Sequence, residues 1–568
     1  MKSVKIISAG GKEFTIEQKS VAYVDPRKCV NCNECREACP VGAIEEYQRV
    51  ICHACPECTE VPGISPKKFE ALATERSCTM ACPLGISPQG YVNMIKHGKL
   101  DEAYELVWEK NPLPSVCGAI CHHPCEQDCK RGLLVDRPIE IRELKRYLSE
   151  KVGYTAKKYQ KIYDETVAVV GAGPAGLTAG HYLAQAGYKV TIFEAEAEAG
   201  GMLTRGIPKF RLNRNIVKKE VENLQKAGLE IRFGEKINKF SIKQLEKEFD
   251  AVVVAAGAPV SREFQIEFNQ NEGIFPAAKF MQMVNADQLV KHHLGQLFNI
   301  NGECVVIGGG SIAMDVARTA VRLGASKVTC VSAECGDDIP AHDWEIAEAK
   351  EEGVEFVEGW TPKRYIRPAV TKLDAVEFER ITACGYDKDG KFSMVTDPND
   401  TMQLKADWVV LAVGQMPEPF WKEFSSSDNI FFAGDIDSNK CSVVDAMASG
   451  RKAALAADAF IRGREVKDAL DSHKLNEADV QEKIYPYNLH KMVRPKKGIL
   501  PVTERVSTFR EVESGFDDDQ ARQEVIACMS CGFQIVDVDK CIGCGTCQKK
   551  CPKGDVITMV ALDEGGNQ

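Results

Sequence analysis

The chain has 568 residues, which leaves room for three or four domains of ordinary size. Its net charge of -10 does not favour a nucleic-acid surface, and it has no apolar run of about 18 residues that would indicate a membrane-spanning helix. The N-terminus lacks the long apolar stretch of a signal peptide, so we expect a cytoplasmic protein.

The 24 cysteines are concentrated at the two ends of the chain. Thirteen lie between Cys29 and Cys129, and six lie between Cys528 and Cys551. Disulfide frameworks are typical of small secreted domains, whereas clustered thiols in a large chain without a signal peptide are typical of metal ligands. We therefore expect iron–sulfur modules at both ends.

The first module is expected over residues 1–62. A β-hairpin region at residues 1–25 precedes the run C-x-x-C-x-x-C-x-x-x-C-P at residues 29–40, the spacing with which bacterial ferredoxins wrap a cubane cluster. Residues 52–58 repeat only half of this run, C-x-x-C-x-x-C.

Two partitions of these cysteines are open. Cys39 either closes the cluster of its own run or serves a second cluster, as the fourth cysteine does in two-cluster ferredoxins. In the second case Cys39 joins the half-motif, and Cys78 is available to complete the first run.

Cys78 belongs to the next block, residues 66–150, where helices are expected at residues 100–110 and 139–151.

Residues 165–465 alternate apolar strands, Gly-rich turns and helical patterns, which predicts doubly wound α/β structure. A strand at residues 166–170 runs into G-x-G-x-x-G at residues 171–176, and the next strand ends at Glu194. Such a turn lets a pyrophosphate approach the backbone and the helix N-terminus, and the acid can accept hydrogen bonds from a ribose diol.

A second unit of the same kind begins with a strand at residues 303–307. It continues as G-x-G-x-x-A at residues 308–313, with a helix that follows and Glu334 just beyond the next strand. Two such units predict two dinucleotides, one held permanently and one exchanged.

The end of the α/β region favours FAD in the first site. A strand at residues 429–432 leads into Gly434 and Asp435, and a helical stretch at residues 442–454 follows closely. A carboxylate at that turn can hold the ribityl chain, and the helix N-terminus can face the flavin ring.

The remaining chain is expected to form a linker over residues 466–524 and a C-terminal 4Fe-4S module over residues 525–568. The linker is polar and contains prolines, and residues 541–552 repeat the complete ferredoxin run. Cys528 and Cys531, which precede this run, have no assigned role.

A flavin accepts two electrons together and can release them singly, so the sequence should contain a group that accepts these electrons from the flavin. No C-x-x-C pair lies near Gly200 and Gly201 or within residues 304–400, so a disulfide reductase is disfavoured. The clusters are the expected exit.

The series of motifs over residues 75–465 resembles the small subunit of glutamate synthase and its relatives, which include the NADPH-binding subunit of electron-bifurcating transhydrogenases and the flavin half of dihydropyrimidine dehydrogenase. The motifs that carry the resemblance are residues 171–176, GGML at 200–203, GIPKFRL at 206–212, AG at 256–257, residues 308–320, GQMP at 414–417 and FAGD at 432–435.

The resemblance implies an FAD domain in two pieces, residues 165–290 and 405–465, with an NAD(P)-binding domain at residues 291–404 inserted between them. It also implies a helical iron–sulfur domain at residues 66–150, and one cluster held by Cys82, Cys121, Cys125 and Cys129, with Cys117 left over. The expected fold class is therefore α/β, with two doubly wound dinucleotide-binding domains, the helical domain and a ferredoxin-like module at each terminus.

One departure from the family concerns the nicotinamide. NADPH-using relatives carry Tyr-Arg-Arg after the second nucleotide strand, and the matching positions here are Ser332, Ala333 and Glu334. A glutamate suits a free 2′-hydroxyl and repels a 2′-phosphate, so we favour NAD(H) over NADP(H). The alternative is a solvated Glu334, with Arg318 or Arg322 reaching the phosphate.

Together these features imply an NAD(P)H-dependent FAD/iron–sulfur oxidoreductase subunit with about four 4Fe-4S clusters. Electrons would pass to or from ferredoxin or a partner subunit, such as a formate- or aldehyde-oxidising subunit, a hydrogenase or a bifurcating partner. The alternatives are the glutamate synthase small subunit itself, feeding an amidotransferase, and a non-catalytic iron–sulfur scaffold. The added ferredoxin runs disfavour the first alternative, and the intact glycine motifs disfavour the second.

No catalytic side chain is expected, because the cofactor carries the chemistry. The expected cofactor contacts are Gly171, Gly173, Pro174, Ala175, Gly176, Glu194, Gly201, Met202, Leu203, Arg211, Ala256, Gly257, Gly308, Gly310, Ser311, Ile312, Glu334, Gly414, Gly434, Asp435 and Val443. The expected cluster ligands are Cys29, Cys32, Cys35, Cys39, Cys52, Cys55, Cys58, Cys78, Cys82, Cys121, Cys125, Cys129, Cys541, Cys544, Cys547 and Cys551.

Overall fold

The computed structural model describes residues 2–7, 13–18, 20–24, 35, 38–39, 43–48, 78–153, 156–262, 273–286, 301–367, 373–386, 392–437, 442–472, 491–529, 532–536, 544–551 and 557–561.

The described strands and helices are numbered in chain order. The strands are β1 (Lys2–Ile7), β2 (Glu13–Gln18), β3 (Ser20–Val24), β4 (Ile44–Gln48), β5 (Thr166–Val170), β6 (Lys189–Glu194), β7 (Glu230–Phe233), β8 (Ala251–Val254), β9 (Val260–Ser261), β10 (Ile274–Pro276), β11 (Glu303–Ile307), β12 (Lys327–Ser332), β13 (Glu355–Glu358), β14 (Trp360–Ile366), β15 (Ala375–Tyr386), β16 (Phe392–Lys405), β17 (Trp408–Leu411), β18 (Gln415–Met416), β19 (Ile430–Phe432), β20 (Gly498–Ile499), β21 (Glu513–Ser514), β22 (Gly532–Val536) and β23 (Ile557–Ala561). The α-helices are α1 (Cys78–Ala81), α2 (Pro88–Lys96), α3 (Leu100–Lys110), α4 (Pro114–Ile120), α5 (Pro124–Gln127), α6 (Lys130–Leu134), α7 (Ile141–Lys151), α8 (Pro174–Ala186), α9 (Met202–Arg205), α10 (Arg214–Ala227), α11 (Lys239–Glu248), α12 (Ala277–Asn285), α13 (Ser311–Arg322), α14 (Asp343–Glu351), α15 (Val443–Ile461), α16 (Val466–Ser472), α17 (Val502–Arg505), α18 (Asp518–Ile526) and α19 (Thr546–Lys550).

The first α/β domain is built on a parallel sheet with the strand order β19-β8-β5-β6-β7. β5 and β8 are almost wholly buried runs of Val and Ala, as expected for strands covered on both faces. α8 begins with Pro174 in its first turn and ends at Gly187, whose φ of 106° closes the helix. α15 packs against both α8 and β8, so helices cover this sheet.

The second α/β domain is a parallel sheet with the order β10-β17-β11-β12-β13, joined by the antiparallel sheet β14-β15-β16. All of these strands lie between β8 and β19 in the chain, and both of those strands belong to the first sheet. The second domain therefore interrupts the first, and the predicted pair of doubly wound domains is confirmed.

Helices α1 to α7 form a helical domain that packs on the first α/β domain. The hydroxyl of Tyr91 in α2 donates a hydrogen bond to the carbonyl oxygen of Ile141 in α7 at 3.1 Å, which ties the helices together. Arg451 in α15 donates to the carbonyl oxygen of Leu84 at 2.8 Å. The helical domain is thus fixed to the helix that follows β19.

Residues 491–529 lie within or beside the stretch expected to be a linker, yet they pack across three domains. Phe516 and Val525 are buried in the core shared with the helical domain. The amide of Val512 donates to the carbonyl oxygen of Phe210 at 3.0 Å. Arg322 of α13 donates to the carbonyl oxygen of Thr508 at 3.1 Å. The polar composition of this segment suggested a linker, but some of its charged side chains are buried and form ion pairs.

A buried ion cluster joins this segment to the second α/β domain. The carboxylate of Glu352, which has no exposed surface, accepts hydrogen bonds from Arg318 at 2.8 Å and from Arg322 at 3.0 Å. Arg505 of the 491–529 segment lies 3.3 Å from the same carboxylate. One carboxylate therefore contacts guanidinium groups from two parts of the chain.

The two ends of the chain meet through their strands. β1 and β2 form the predicted antiparallel hairpin. β3 pairs with β23 and β4 pairs with β22, in both cases antiparallel. Strands that begin the chain are therefore neighbours of strands that end it.

Among the helices that the structure describes, none has the length and apolar character needed to cross a lipid bilayer.

Replacing the central acid of the ion cluster should destabilise the fold strongly. We expect Glu352→Gln to lower the free energy of unfolding by about 3 kcal/mol, because it leaves the buried Arg322 guanidinium without its counter-charge. The measurement is the midpoint of urea unfolding, followed by circular dichroism. Glu504→Gln is the control, since Glu504 faces Arg510 on the exposed surface at 3.5 Å and should cost less than about 1 kcal/mol. Equal effects of the two changes would contradict the account.

Candidate functional site

The first glycine turn joins β5 to α8 and leaves no room for side chains. A Cβ at Gly176 would collide with the carbonyl oxygen of Gly171, and Gly171 itself has a φ of 97°. The backbone N–H groups at the start of α8 therefore stand open to a ligand, as a pyrophosphate requires.

Glu194 at the end of β6 is held against this turn. Its carboxylate accepts a hydrogen bond from the amide of Ala172 at 2.7 Å and another from the amide of Glu196 at 2.9 Å. The side chain is almost fully buried. These bonds fix an acidic group at the edge of the first turn, where a ribose diol would lie.

Asp435 follows β19 and faces the same region. Burial raises the pKa of its carboxyl group to about 6, and no neighbouring charge or hydrogen bond from the described residues opposes this effect. Gly434 has a φ of 78°, and its amide donates to the hydroxyl of Ser449 in α15 at 2.9 Å. A half-buried carboxylate that receives no hydrogen bond from the described residues suits a ligand rich in hydroxyl groups.

The second glycine turn joins β11 to α13. Gly308 has a φ of 139°, and a Cβ there would collide with the carbonyl oxygen of Ala412 after β17. A Cβ at Gly309 would lie 3.3 Å from a carboxylate oxygen of Glu334. The Glu334 carboxylate therefore lies beside the second turn.

Arg318 and Arg322 point away from this position. Both bind Glu352, and the guanidinium of Arg322 lies 3.8 Å from the ring centroid of Phe210. Their placement does not support the alternative in which one of them reaches a 2′-phosphate.

One cavity of about 440 Å³ is bounded by the first glycine turn and by the start of α13, the helix that follows the second turn. The predicted cofactor contacts that line it are Gly171, Gly173, Pro174, Ala175, Glu194, Gly201, Met202, Arg211, Ala256, Gly257, Ser311, Ile312, Gly414, Gly434, Asp435 and Val443. Those that do not line it are Gly176, Leu203, Gly308, Gly310 and Glu334. Leu203 is buried in the core, and the other four belong to the glycine turns or lie beside them.

Arg211, predicted as a cofactor contact, is bound to carboxylates of the second domain. Its guanidinium lies 2.7 Å from Asp315 in α13 and 3.0 Å from Glu345 in α14. Burial raises the pKa of Asp315, and Arg211 only partly offsets this effect. Arg211 therefore connects the two α/β domains at the wall of the cavity.

Cys121 of the helical domain also lines the cavity. Burial is the main cause of the raised pKa of the Cys121 and Cys125 thiols, and the nearby Cys82 sulfur raises both further. Cys129 is buried in the same core. Three of the four thiols expected around one cluster are thus neighbours, and one of them reaches the wall of the cavity.

The remaining cysteines fall into separate surroundings. Cys78 packs against the core of the helical domain, whereas Cys35 and Cys39 belong to a separate core near the chain ends. The buried Cys117 thiol contacts the sulfur of Met447 at 3.6 Å, as a packed apolar group would. Outside the described residues lie Cys29, Cys32, Cys52, Cys55, Cys58, Cys531 and Cys541.

Among the described residues, no three His, Cys, Asp or Glu side chains are placed to hold a metal ion. Each thiolate of a cubane binds a different iron, so cluster ligands stand farther apart than the ligands of one ion. Cys82, Cys121 and Cys125 lie in or against one core, and thiols are the donors that 4Fe-4S clusters bind.

An aromatic stack at the cavity wall was not predicted from the sequence. The rings of His342 and Trp344, at the start of α14, stack with centroids 4.2 Å apart, and His122 stacks on His342 at 5.5 Å. His123 contacts Trp344 at 4.7 Å, and burial lowers its pKa to about 4. The position of His122 and His123 beside Cys121 could have indicated them from the sequence. No motif near His342 or Trp344 in the sequence indicates that these residues belong to the stack.

Models of known families match the same regions. The model described as "Pyridine nucleotide-disulphide oxidoreductase" matches residues 165–429. The model for dihydropyrimidine dehydrogenase domain II, 4Fe-4S cluster, matches residues 72–156, and the 4Fe-4S binding domain matches residues 22–45 and 535–555.

Three curated relatives extend this similarity over most of the chain. "NADP(+)-dependent formate dehydrogenase subunit beta" of Moorella thermoacetica is 31% identical over 80% of this chain and 70% of its own length. "NADPH-Fe(3+) oxidoreductase subunit beta" of Geobacter sulfurreducens is 29% identical, covering 80% of this chain and 75% of its own length. "NAD-dependent dihydropyrimidine dehydrogenase subunit PreT" of Escherichia coli K12 is 31% identical over 72% of this chain and 96% of its own length. The chain therefore belongs to the family of these subunits, the pyridine nucleotide-dependent flavoprotein oxidoreductases that carry 4Fe-4S domains.

Proposed function

We propose that the chain moves electrons between NAD(P)H and FAD as a hydride, and then singly between FAD and 4Fe-4S clusters that serve a partner subunit or ferredoxin. One observation carries this proposal. A single cavity is bounded by the first glycine turn, by the start of α13 at the second turn and by Cys121 of the helical domain. Three redox groups held at these positions would meet in this cavity.

The residues of the first α/β domain fit FAD. The turn at Gly171 and the N-terminus of α8 would take the pyrophosphate, Glu194 the adenosine ribose and Asp435 the ribityl hydroxyl groups. FAD, when bound, supplies the conversion between a hydride and single electrons. The protein's own part is to bind it, to orient it and to keep the cavity walls in place.

Cys121 marks the exit for single electrons. It is the one cysteine among the described residues that line the cavity, so they contain no thiol pair for a disulfide exchange. A cluster bound through Cys121 would lie at the cavity wall. This supports electron transfer through clusters and disfavours a disulfide reductase, although the matching family model carries that word in its name.

The preferred nicotinamide is proposed to be NAD(H). The Glu334 carboxylate lies beside the second glycine turn, where it would accept hydrogen bonds from a 2′-hydroxyl and repel a 2′-phosphate. The names of the relatives include both NAD-dependent and NADP-dependent subunits, so the family does not decide this point.

All three relatives are named as subunits, which supports a partner chain that carries the other half of the reaction. We also propose a cytoplasmic location, because clustered thiols that serve as cluster ligands suit a reducing compartment.

The Asp435 carboxylate should give flavin binding a dependence on pH. Below pH 6 the cofactor-free carboxyl group is protonated, and hydroxyl donors favour the carboxylate, so flavin affinity should rise as the pH increases towards 6 and level off above it. We expect Asp435→Ala to remove this dependence and to weaken flavin binding roughly tenfold or more. The measurement is flavin fluorescence during titration of the deflavinated protein. Asp437→Ala, at an exposed position two residues later, is the control; normal flavin content of Asp435→Ala would refute the placement.

Reversing the charge at Glu334 should change the preferred nicotinamide. In Glu334→Arg the new guanidinium would pair with a 2′-phosphate, so the ratio of kcat/KM for NADPH to that for NADH should rise roughly tenfold or more. Steady-state reduction of a dye with each nucleotide measures this ratio. Glu355→Arg is the control, because Glu355 lies on β13 and pairs with Lys327 at 2.9 Å. An unchanged ratio would mean that Glu334 does not contact the ribose.

Removing the thiol at the cavity wall should separate the two halves of the reaction. Cys121→Ser should leave flavin reduction by the nicotinamide intact and slow transfer to a one-electron acceptor roughly tenfold or more, because a cluster ligand is lost. Stopped-flow spectroscopy follows both steps. Cys117→Ala, one helical turn earlier and outside the cavity lining, should leave both rates unchanged. Unaltered one-electron transfer in Cys121→Ser would place the exit elsewhere.

A further inference from the structure

The two ends of the chain carry the same short pattern. Each has a strand, then a cysteine run, then a second strand: β3 and β4 flank the first run, and β22 and β23 flank the last. In both halves the first cysteine stands five residues after the end of the preceding strand, and both contain V-D-x-x-K-C. The halves are therefore repeats, separated by the whole α/β region.

Neither half pairs its own strands within the described part of the chain. β3 pairs with β23, with Ala22 opposite Met559, and β4 pairs with β22, with Ile44 opposite Val536. Each cysteine run thus leads from one shared sheet to the other. A lone β-strand has no hydrogen-bonding partner, so each half needs the other to complete its sheets.

Two described cysteines of each run lie in one core. Cys35 and Cys547 are buried together with Ala22, Val24, Ala43, Ile44 and Ile557, and the partly buried Cys39, Cys551 and Met559 pack against them. The amide of Ala43 donates to the Cys39 sulfur at 3.2 Å. Such N–H···S bonds are typical around cluster thiolates, and two cysteines of each run fit cluster binding in a common apolar core.

We propose that the two ends of the chain form a single ferredoxin module with two 4Fe-4S clusters, in which Cys39 serves the cluster of the C-terminal run and Cys551 serves the cluster of the N-terminal run. The proposal rests on these runs holding clusters, as the proposed function requires, and not on flavin or nicotinamide chemistry. The fourth cysteine of a run ligates the other cluster in two-cluster ferredoxins, and the shared sheets give this chain the same arrangement from distant halves.

This assignment changes which cysteines bind the N-terminal clusters. Cys39 is used neither by its own run nor by the half-motif at residues 52–58, and Cys551 rather than Cys78 completes the first run. Cys78 packs in the helical domain, apart from the core that contains Cys35, which agrees with this assignment. Both terminal clusters then belong to one module, so electrons leave the chain at one place instead of two.

Two double variants with equal numbers of substitutions test the exchange of ligands. Cys35→Ser/Cys551→Ser removes two ligands of one cluster under the proposal, whereas Cys547→Ser/Cys551→Ser removes one ligand from each cluster. We expect the first variant to lose about four irons per flavin with one terminal cluster intact, and the second to perturb both clusters and lose up to about eight. The measurements are iron and labile sulfide per flavin, and EPR spectra of the dithionite-reduced full-length protein.

A flavin content equal to that of the unchanged chain shows that the rest of the protein has folded. Because dithionite reduces the clusters directly, the test does not depend on the proposed path of electrons. The proposal is overturned if Cys547→Ser/Cys551→Ser perturbs one cluster while Cys35→Ser/Cys551→Ser perturbs two, the pattern of independent modules. Loss of both clusters in both variants supports the joint module, because an independent N-terminal cluster would survive changes confined to the C-terminal run.

Discussion

The carboxyl ends of two parallel sheets open onto one cavity, and the rest of the structure depends on keeping these ends aligned. Ligands of doubly wound sheets bind at the carboxyl ends of the strands, so two dinucleotides can meet only where both edges face each other. Arg211 connects the domains at this place, through Asp315 at 2.7 Å and Glu345 at 3.0 Å. Breaking a buried ion pair is costly even where forming it adds little stability, so this contact resists separation of the domains.

The proposed path for single electrons begins in the helical domain, which lies outside the α/β region of the chain. The helical domain brings Cys121 to the cavity wall, and the stack of His122, His342 and Trp344 joins that domain to the second α/β domain. The 491–529 segment adds a further connection through Arg505 and the carboxylate of Glu352. In the proposed path, the joint module of the chain ends then carries electrons onward to a partner.

The sequence predicts best what is encoded locally. The glycine turns, Glu194 and Asp435 follow from a few residues of spacing, because a strand, a tight turn and a helix N-terminus are determined by neighbours in the chain. The partners of Glu352 and the stack on Trp344 join distant segments and leave no periodic signal. The polar 491–529 segment suggested a linker, since composition does not distinguish a solvated charge from a buried and paired one. The pairing of β3 with β23 could not be predicted from the sequence either, because these two strands lie far apart in the chain.

The central claim is that electrons pass from a nicotinamide through FAD to the clusters of this chain. It is tested most directly by an anaerobic titration of the purified protein with NADH and NADPH, followed by visible and EPR spectra after flavin and iron have been counted. The account predicts about sixteen irons per flavin, as four clusters require, with bleaching of the flavin and the appearance of reduced-cluster signals on adding NADH. A protein with full flavin and iron content that neither nucleotide reduces would contradict it.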